Sequence, residues 1–490
     1  MPDTLHPLDP ADWDAFRALA HRVLGDMIAY LERVRERPVW QPFPEEARRS
    51  LERSGPGADG IGLEAAYDEL RRIILPYAIG NVHPRFWGWV RGTGTPGGVL
   101  AELITGTLNT SAWGGQQAAP YVEAQVLRWL AGMLGYPVNA SGLLTSGCSM
   151  SNLVALAVAR DAMSGADATE DGVRALRRQP VLYGSTETHS SVEKAVGLLG
   201  LGRRSLRRMP VDAEFRVDLH ALAAAIARDR AAGFQPIAVI GNAGTVNTGA
   251  VDDLEGLAAL CRREELWLHV DGAFGALAAL VPSLRSLVAG MEQADSLAFD
   301  LHKWLHIPYG VGCVLISDAP LHERPFHAAA SYLEPLERGA AAGPHDFSRL
   351  GPELSRRFRA LKVWMALRAH GTAPFAEAIE RNVAQARALA ERLARATWAE
   401  VLAPVALNIV CFRFVLPGRS ERELDLLNRR ILMALQERGI AVPSATVVRG
   451  RFAIRVAITN HRSGEEDFDA LVEGVETIGR ELGGERPATP

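Results

Sequence analysis

The chain has little of what announces many protein classes. Four cysteines, Cys148, Cys261, Cys313 and Cys411, are scattered through 490 residues, and none forms a CxxC pair or a zinc spacing. That excludes a disulfide framework or a cysteine metal centre, and reduced thiols in a cytoplasmic protein are the expectation. No metal site is predicted. Positive charge is not in excess: 53 Lys and Arg face 57 Asp and Glu, a formal net charge of −4. Neither nucleic acid nor an anionic membrane is therefore an expected partner. Apolar runs such as Leu222–Ile226 and Ala276–Val281 are far too short to span a bilayer. The start, Met1-Pro2-Asp3-Thr4, carries no basic segment followed by an apolar run, so no secretory leader is expected.

What is present is an ordinary globular composition, 48% hydrophobic and 22% charged, in a chain long enough for two or three domains. Residues 1–90 read as a helical N-terminal segment. Over 11–36, Trp13, Phe16, Leu19, Val23, Leu24, Met27, Ile28 and Leu31 recur at helical spacing. Such an arm cannot bury its stripe alone, which predicts packing on a partner subunit or on the main body. Residues 91–385 alternate helix and strand. Helices are expected over 122–134, 149–163, 218–229 and 253–264, and strands over 181–183, 237–240, 266–270, 296–299 and 310–316. This is the α/β pattern of a mostly parallel sheet covered on both faces, whose ligands bind beyond the carboxyl ends of the strands. Residues 386–490 read as a small α+β domain: strand 408–414, helix 420–438, strands near 440–443 and 452–458, and helix 465–482.

The residues that carry chemistry follow strands. Asp271 ends Leu266-Trp267-Leu268-His269-Val270, and Lys303 follows Ser296-Leu297-Ala298-Phe299, 32 positions on (303 minus 271). An isolated His302-Lys303 reads as a surface lysine, and an isolated Asp271 as a helix cap. Paired on neighbouring strands, they are what pyridoxal phosphate chemistry needs: an amine for the Schiff base, and a carboxylate that keeps the pyridine nitrogen protonated. The amine needs a lowered pKa, which desolvation and neighbouring cations promote. In Thr145-Ser146-Gly147-Cys148-Ser149, hydroxyls and a glycine open a helix, an ordinary N-cap that also attracts phosphate. His189, in Thr188-His189-Ser190-Ser191, is a loop residue or a stacker on the cofactor ring. In the loop 241–249 the glycines allow close backbone approach, and Thr245 is placed to donate to the phenolic oxygen or to contact the ring.

In this order the motifs resemble the group II pyridoxal-phosphate-dependent decarboxylases, the aromatic L-amino-acid decarboxylase family. The resemblance spans about residues 15–480. It rests on His83-Pro84-Arg85-Phe86, Thr145-Ser146-Gly147, Thr188–Lys194, Ala243-Gly244-Thr245, His269–Ala273, His302-Lys303-Trp304, Ser331-Tyr332-Leu333 and Arg356–Lys362. It implies fold type I and a homodimer with active sites at the subunit interface. Lys303 is then the Schiff-base lysine, Asp271 the partner of the pyridine nitrogen and His189 the ring stacker. Gly147, Cys148, Ser149, His302 and Asp300 lie at the phosphate, with Thr245 nearby. Tyr332, on a loop over 320–345, is implied to protonate the carbanion. His83, Phe86 and Trp89 face the substrate, with Trp87 and Trp89 either walls of an aromatic pocket or core.

Family members often carry Asn-Pro before His-Lys, whereas this chain has Asp300-Leu301. A carboxylate beside a phosphate repels it, so Asp300 is expected to point elsewhere or to pair with a cation. The implied reaction is decarboxylation of an L-amino acid to its amine, with tyrosine, DOPA or tryptophan as the favoured class. Having both Tyr332 and His189 agrees with simple decarboxylation. The alternatives are an acidic or aliphatic substrate, decarboxylation with oxidative deamination to an aldehyde, and, remotely, a non-catalytic cofactor-binding scaffold.

Overall fold

The computed structural model of the chain describes residues 8–484 apart from Ser54, Pro56 and positions 166–167, 328–330, 332–333 and 335. Tyr332, the implied proton donor, lies outside the described residues.

Short apolar runs bounded by polar turns make the strands. β1 (Ser141–Thr145), β2 (Pro180–Ser185), β3 (Leu206–Met209), β4 (Gln235–Asn242), β5 (Trp267–Asp271), β6 (Ser296–Asp300) and β7 (Gly312–Ile316) form a sheet of order β1-β7-β6-β5-β4-β2-β3. β2 to β6 are mutually parallel, and β7 runs antiparallel to both β6 and β1. β2, β5 and β6 are buried throughout, as a sheet covered on both faces requires. The helix Cys148–Met163 packs across β5, β6 and β7 and buries Val154, Leu156 and Val158 completely.

β1 and β3 escape the periodicity argument. β1 reads Ser-Gly-Leu-Leu-Thr, too short and glycine-broken to alternate. β3 carries Arg207 and Arg208 on the sheet edge, where Arg207 pairs with Asp229 at 3.1 Å.

A second, antiparallel sheet has the order β10-β11-β9-β8, built from β8 (Ala399–Val401), β9 (Ile409–Phe414), β10 (Ser444–Val448) and β11 (Arg451–Ala457). The strand expected near 440–443 begins at 444, because Val442 instead donates its N–H to the Arg85 carbonyl at 3.0 Å.

The chain divides into two compact units, one of residues 1–86, 430–442 and 462–490, the other of 87–429 and 443–461. This differs from the three sequential segments of the sequence reading. The second sheet groups with the first because its side chains hold the loop after β4. Arg455 Nε and Cys411 Sγ both donate to the Asn247 carbonyl, at 3.1 and 3.2 Å.

In the smaller unit, the helix Trp13–Glu32 is capped by Asp12 and tied to the helix Leu63–Ile73 by Tyr67 Oη donating to Asp26 at 2.8 Å. No residue of Trp13–Glu32 is buried; Trp13, Phe16 and Ile28 of its apolar stripe are exposed, and Leu19, Val23, Leu24, Met27 and Leu31 are half-buried. His83 and Phe86 belong to the same unit. Phe86 packs with Val39 and Val442, and burial pushes the His83 imidazole down to about 4. No described helix is long and apolar enough to cross a membrane.

One ion pair fixes the end of β1. Glu123 and Arg356 are essentially fully buried and meet at 2.6 Å. Arg356 also donates to the carbonyls of Ala112 and Leu144, and Glu123 accepts the Leu144 N–H. Removing one partner strands the other charge in the interior. Glu123→Ala is therefore expected to destabilise the protein by about 3–5 kcal/mol in urea unfolding; a loss below about 1 kcal/mol, the range of an exposed pair, would refute this account.

Candidate active site

The carboxyl ends of β1, β2, β4, β5 and β6 lie along one edge of the parallel array, and a cavity of about 420 Å³ opens there. That volume suits a small-molecule site. Its walls include Lys303, Asp271, His189, Thr245, Gly147, Cys148, Ser149, Asp300, His302 and Trp89. Ten residues expected at the site from sequence therefore meet in one place. His83 and Phe86 are not among its lining residues; they are interior residues of the other unit. Trp87 is core, at 1% exposure, whereas Trp89 is a half-exposed wall.

Asp271 ends β5. Its Oδ1 accepts the Ala273 N–H at 3.1 Å and the Cys148 thiol at 3.4 Å, and its Oδ2 accepts the Asn152 amide at 2.8 Å. Asp300 ends β6, one strand over. It pairs with a cation, as expected, but it does not point away from the helix N-terminus expected to hold the phosphate. Its Oδ1 accepts the Cys148 N–H at the start of the helix Cys148–Met163 at 2.6 Å, and its Oδ2 pairs with Lys303 Nζ at 3.1 Å.

Close backbone approach makes this possible. A Cβ on Gly312 would stand 2.7 Å from Gly147 and 2.9 Å from Asp300, and one on Gly92 would meet the Lys303 carbonyl at 2.3 Å. Both positions admit only glycine without movement.

The electrostatics of Lys303 reverse an expectation. Burial alone lowers its pKa, but Asp300 and Asp271 outweigh that and hold the ammonium above its ordinary value. The neighbours are carboxylates rather than cations. In the cofactor-free protein Lys303 is charged, and it must lose a proton before its nitrogen is a nucleophile. Burial pushes His302 and His189 below the ordinary imidazole range, so both are neutral near pH 7. His302 donates from Nδ1 to the Val311 carbonyl at 2.9 Å. Thr245 accepts the Ala250 N–H and meets Thr248 at 3.1 Å.

Sequence reasoning missed three groups. Ser191 sits inside a quoted motif and Asn152 three residues beyond another, but nothing in a linear pattern joins them to Asp271 and His189. Arg455 interrupts the apolar part of β11, Phe452–Ala457. It is buried, and its Nη1 donates to the Trp89 carbonyl and to Ser444, which supports a tryptophan held at φ 55°.

An amine paired with a strand-end carboxylate, a second carboxylate one strand away and hydroxyls at a helix N-terminus define a fold type I pyridoxal-phosphate site. The chain matches the pyridoxal-dependent decarboxylase conserved domain over residues 44–415. It is 33% identical over 473 residues to an aromatic-L-amino-acid decarboxylase of Bacillus atrophaeus, covering 96% of each chain. It is 30% identical to an L-2,4-diaminobutyrate decarboxylase of Rhizobium meliloti, covering 86% of this chain and 83% of that one. The crystal structure of Oryza sativa TDC with PLP and tryptamine superposes with a TM-score of 0.88 at 26% identity, covering 97% of this chain and 99% of that one. The chain belongs to the pyridoxal-dependent decarboxylases and is a pyridoxal-phosphate-dependent amino-acid carboxy-lyase.

The buried histidines make a pH test. His269 and His322 are fully buried, and burial pushes each from 6.5 down to about 4. The unfolded chain then binds more protons than the folded one between those values. Stability is present above pH 6.5 and is lost as pH falls toward 4, by roughly 3 kcal/mol per group. His322 joins Ser141 Oγ to the Leu350 carbonyl. His322→Gln, which keeps a donor and an acceptor but takes up no proton, is expected to flatten the fall of the thermal midpoint of the cofactor-free protein over this range. An unchanged slope would contradict the burial argument.

Proposed function

We propose that the chain decarboxylates an aromatic L-amino acid, of the tyrosine, DOPA or tryptophan class, to its amine and carbon dioxide. The observation that carries this is the meeting of Lys303, Asp271 and His189 in one cavity walled on one side by the Trp89 indole. Bound pyridoxal phosphate supplies the electron sink for the pair left when the Cα–carboxylate bond breaks.

The chain's own residues do the rest. Lys303 would be the residue that holds the cofactor covalently, its amine supplying the nitrogen for the Schiff base. Asp271 holds a proton at the ring nitrogen, so that the ring accepts charge. His189, on the cavity wall, would stack on the ring and help to orient the substrate. Ser149, His302 and the amides around Gly147 and Cys148 hold the phosphate. Asp300 faces Lys303 and the Cys148 amide, and Thr245 contacts the ring. Tyr332 delivers the proton to Cα.

Glu187 bears on the substrate. It lines the cavity and is held by the Asn247 amide at 3.0 Å, and no cation lies within ion-pair distance of it among the described residues. An unpaired carboxylate there disfavours an acidic side chain. The aromatic reading agrees with what the names of the Bacillus atrophaeus and Oryza sativa relatives state. The unpaired carboxylate also suits the cationic side chain of the diaminobutyrate class.

The decisive experiment is a panel of L-amino acids assayed for carbon dioxide, amine, aldehyde and peroxide. Aromatic acids are expected to release carbon dioxide and amine in equal amounts, with glutamate and aspartate inert. Lys303→Ala is expected to lose both turnover and the absorbance band of lysine-bound cofactor. Turnover retained in Lys303→Ala, or bound cofactor with no turnover of any amino acid, would sink the reading.

We also propose a homodimer with its sites at the subunit interface. The helix Pro96–Leu108 exposes Leu100, Leu103, Ile104 and Leu108 by 41–59%, an apolar face that a second copy would cover. The exposed Trp13, Phe16 and Ile28 of the helix Trp13–Glu32 are consistent with the same arrangement. Light scattering is expected to give twice the chain mass, and the Leu103→Asp/Leu108→Asp variant is expected to be monomeric and poorly active. A fully active monomer would contradict this. The four buried, unpaired thiols agree with a cytoplasmic compartment.

A further inference from the structure

A chain of hydrogen bonds, buried except at its His189 end, joins the two groups proposed to face the cofactor ring, and the position of every hydrogen in it follows from chemistry. At one end, Trp267 Nε1, which only donates, meets Ser296 Oγ at 2.8 Å. Ser296 accepts there and turns its own hydrogen to His269 Nδ1, 2.9 Å away. His269 is neutral, so its proton is on Nε2, which donates to Asn152 Oδ1 at 3.0 Å.

That sets the Asn152 amide. Its Nδ2 gives one hydrogen to Asp271 Oδ2 at 2.8 Å and the other to Ser191 Oγ at 3.0 Å. The flipped amide would set its oxygen against the Asp271 carboxylate, acceptor against acceptor.

At the other end, the Ser191 backbone N–H, again only a donor, meets His189 Nδ1 at 3.2 Å. Ser191 Oγ, already accepting from Asn152, donates to the same nitrogen at 2.8 Å. His189 Nδ1 therefore carries no hydrogen, and its proton is on Nε2. Asn152, Ser191 and His269 are themselves buried or nearly so, where an unmade bond is costly.

We propose that Asn152 is a positioning residue that sets Asp271 and His189 together, one amide hydrogen holding the carboxylate and the other, through Ser191, fixing the tautomer of the imidazole. The hydrogen that His189 can offer a ligand is then always the one on Nε2. Placing a proton on Nδ1 breaks the bond from the Ser191 N–H and forces the Ser191 hydroxyl to turn from donor to acceptor. The inference rests on the reading of Asp271 and His189 as ring-facing groups, but part of its test needs no cofactor.

Three variants divide the network. Asn152→Leu removes all three amide bonds, Ser191→Ala cuts only the arm to His189, and Ser191→Thr keeps the hydroxyl. In the histidine nitrogen NMR spectrum of the cofactor-free protein, His189 is expected as the Nε2–H tautomer. It should become a mixture in Ser191→Ala and return to one form in Ser191→Thr.

With cofactor, Ser191→Ala is expected to lower kcat about tenfold, with cofactor affinity within about twofold of the parent. Asn152→Leu is expected to weaken cofactor affinity at least about tenfold and to shift the pH titration of the bound-cofactor absorbance. The double variant is expected to lose less kcat than the product of the two single losses.

An Nδ1–H His189 in the parent would overturn the proposal. So would an unchanged tautomer in Ser191→Ala, or an Asn152→Leu protein whose cofactor affinity and absorbance titration match the parent. If Asn152→Leu fails to fold, the two Ser191 variants decide the matter alone. If Lys303→Ala were to disprove the cofactor reading, the NMR result would still stand or fall by itself.

Discussion

Two carboxylates end neighbouring parallel strands inside the protein, and the site is built around satisfying them. Asp271 and Asp300 are 5% and 3% exposed. A carboxylate taken out of water is tolerated only where donors replace the lost hydration. The donors come from elements that would otherwise have no reason to meet: the first turn of the helix Cys148–Met163, the turn after β5, and Lys303. The requirement explains the glycines at 92 and 312, the burial of Asn152 and the side on which the helix begins. It also explains why the lysine is an ammonium before the cofactor arrives.

The strand-end residues were legible because their chemistry is local. Asp271 and Lys303 each follow an apolar run, and strand ends of a parallel sheet fall on one edge whatever the loop lengths. The same logic brought Thr245, His189 and Ser149 into the wall. What stayed hidden is pairing across the chain. Asn152 reaches Ser191, Asp271 and His269 through positions that no periodicity links, and Arg455 reaches the Trp89 carbonyl from the second sheet. Burial was also hard to separate from function. His83 and Phe86 carry the residue types of a ligand pocket, yet they fill the interior of the smaller unit. Trp87 and Trp89, two residues apart, divide into core and wall because the backbone there is not a strand and turns at Trp89, held at φ 55°.

The fold divided differently from the sequence for a related reason. The order of expected elements changes near residue 386, and the chain there reads as a separate α+β segment. Hydrogen bonds from Cys411 and Arg455 to Asn247 nevertheless bind its sheet into the larger unit, close to a loop that helps to wall the cavity. A contact from a side chain to a backbone carbonyl leaves no trace in either partner's pattern.

The antiparallel strand β7 has a bearing on speed as well as on shape. Because it turns back beside β6, the segment Leu301–Val311 that carries Lys303 is pinned at both ends: Leu301 and His302 donate to the Val311 carbonyl, and Ile307 donates to Leu301. A parallel successor would have needed a long crossover and left the lysine on a freer tether. A short, doubly anchored turn confines the amine to a small volume. Its effective molarity toward a carbonyl in the cavity is raised accordingly. A lysine that held the cofactor from such a turn would stay within reach of it after each product left.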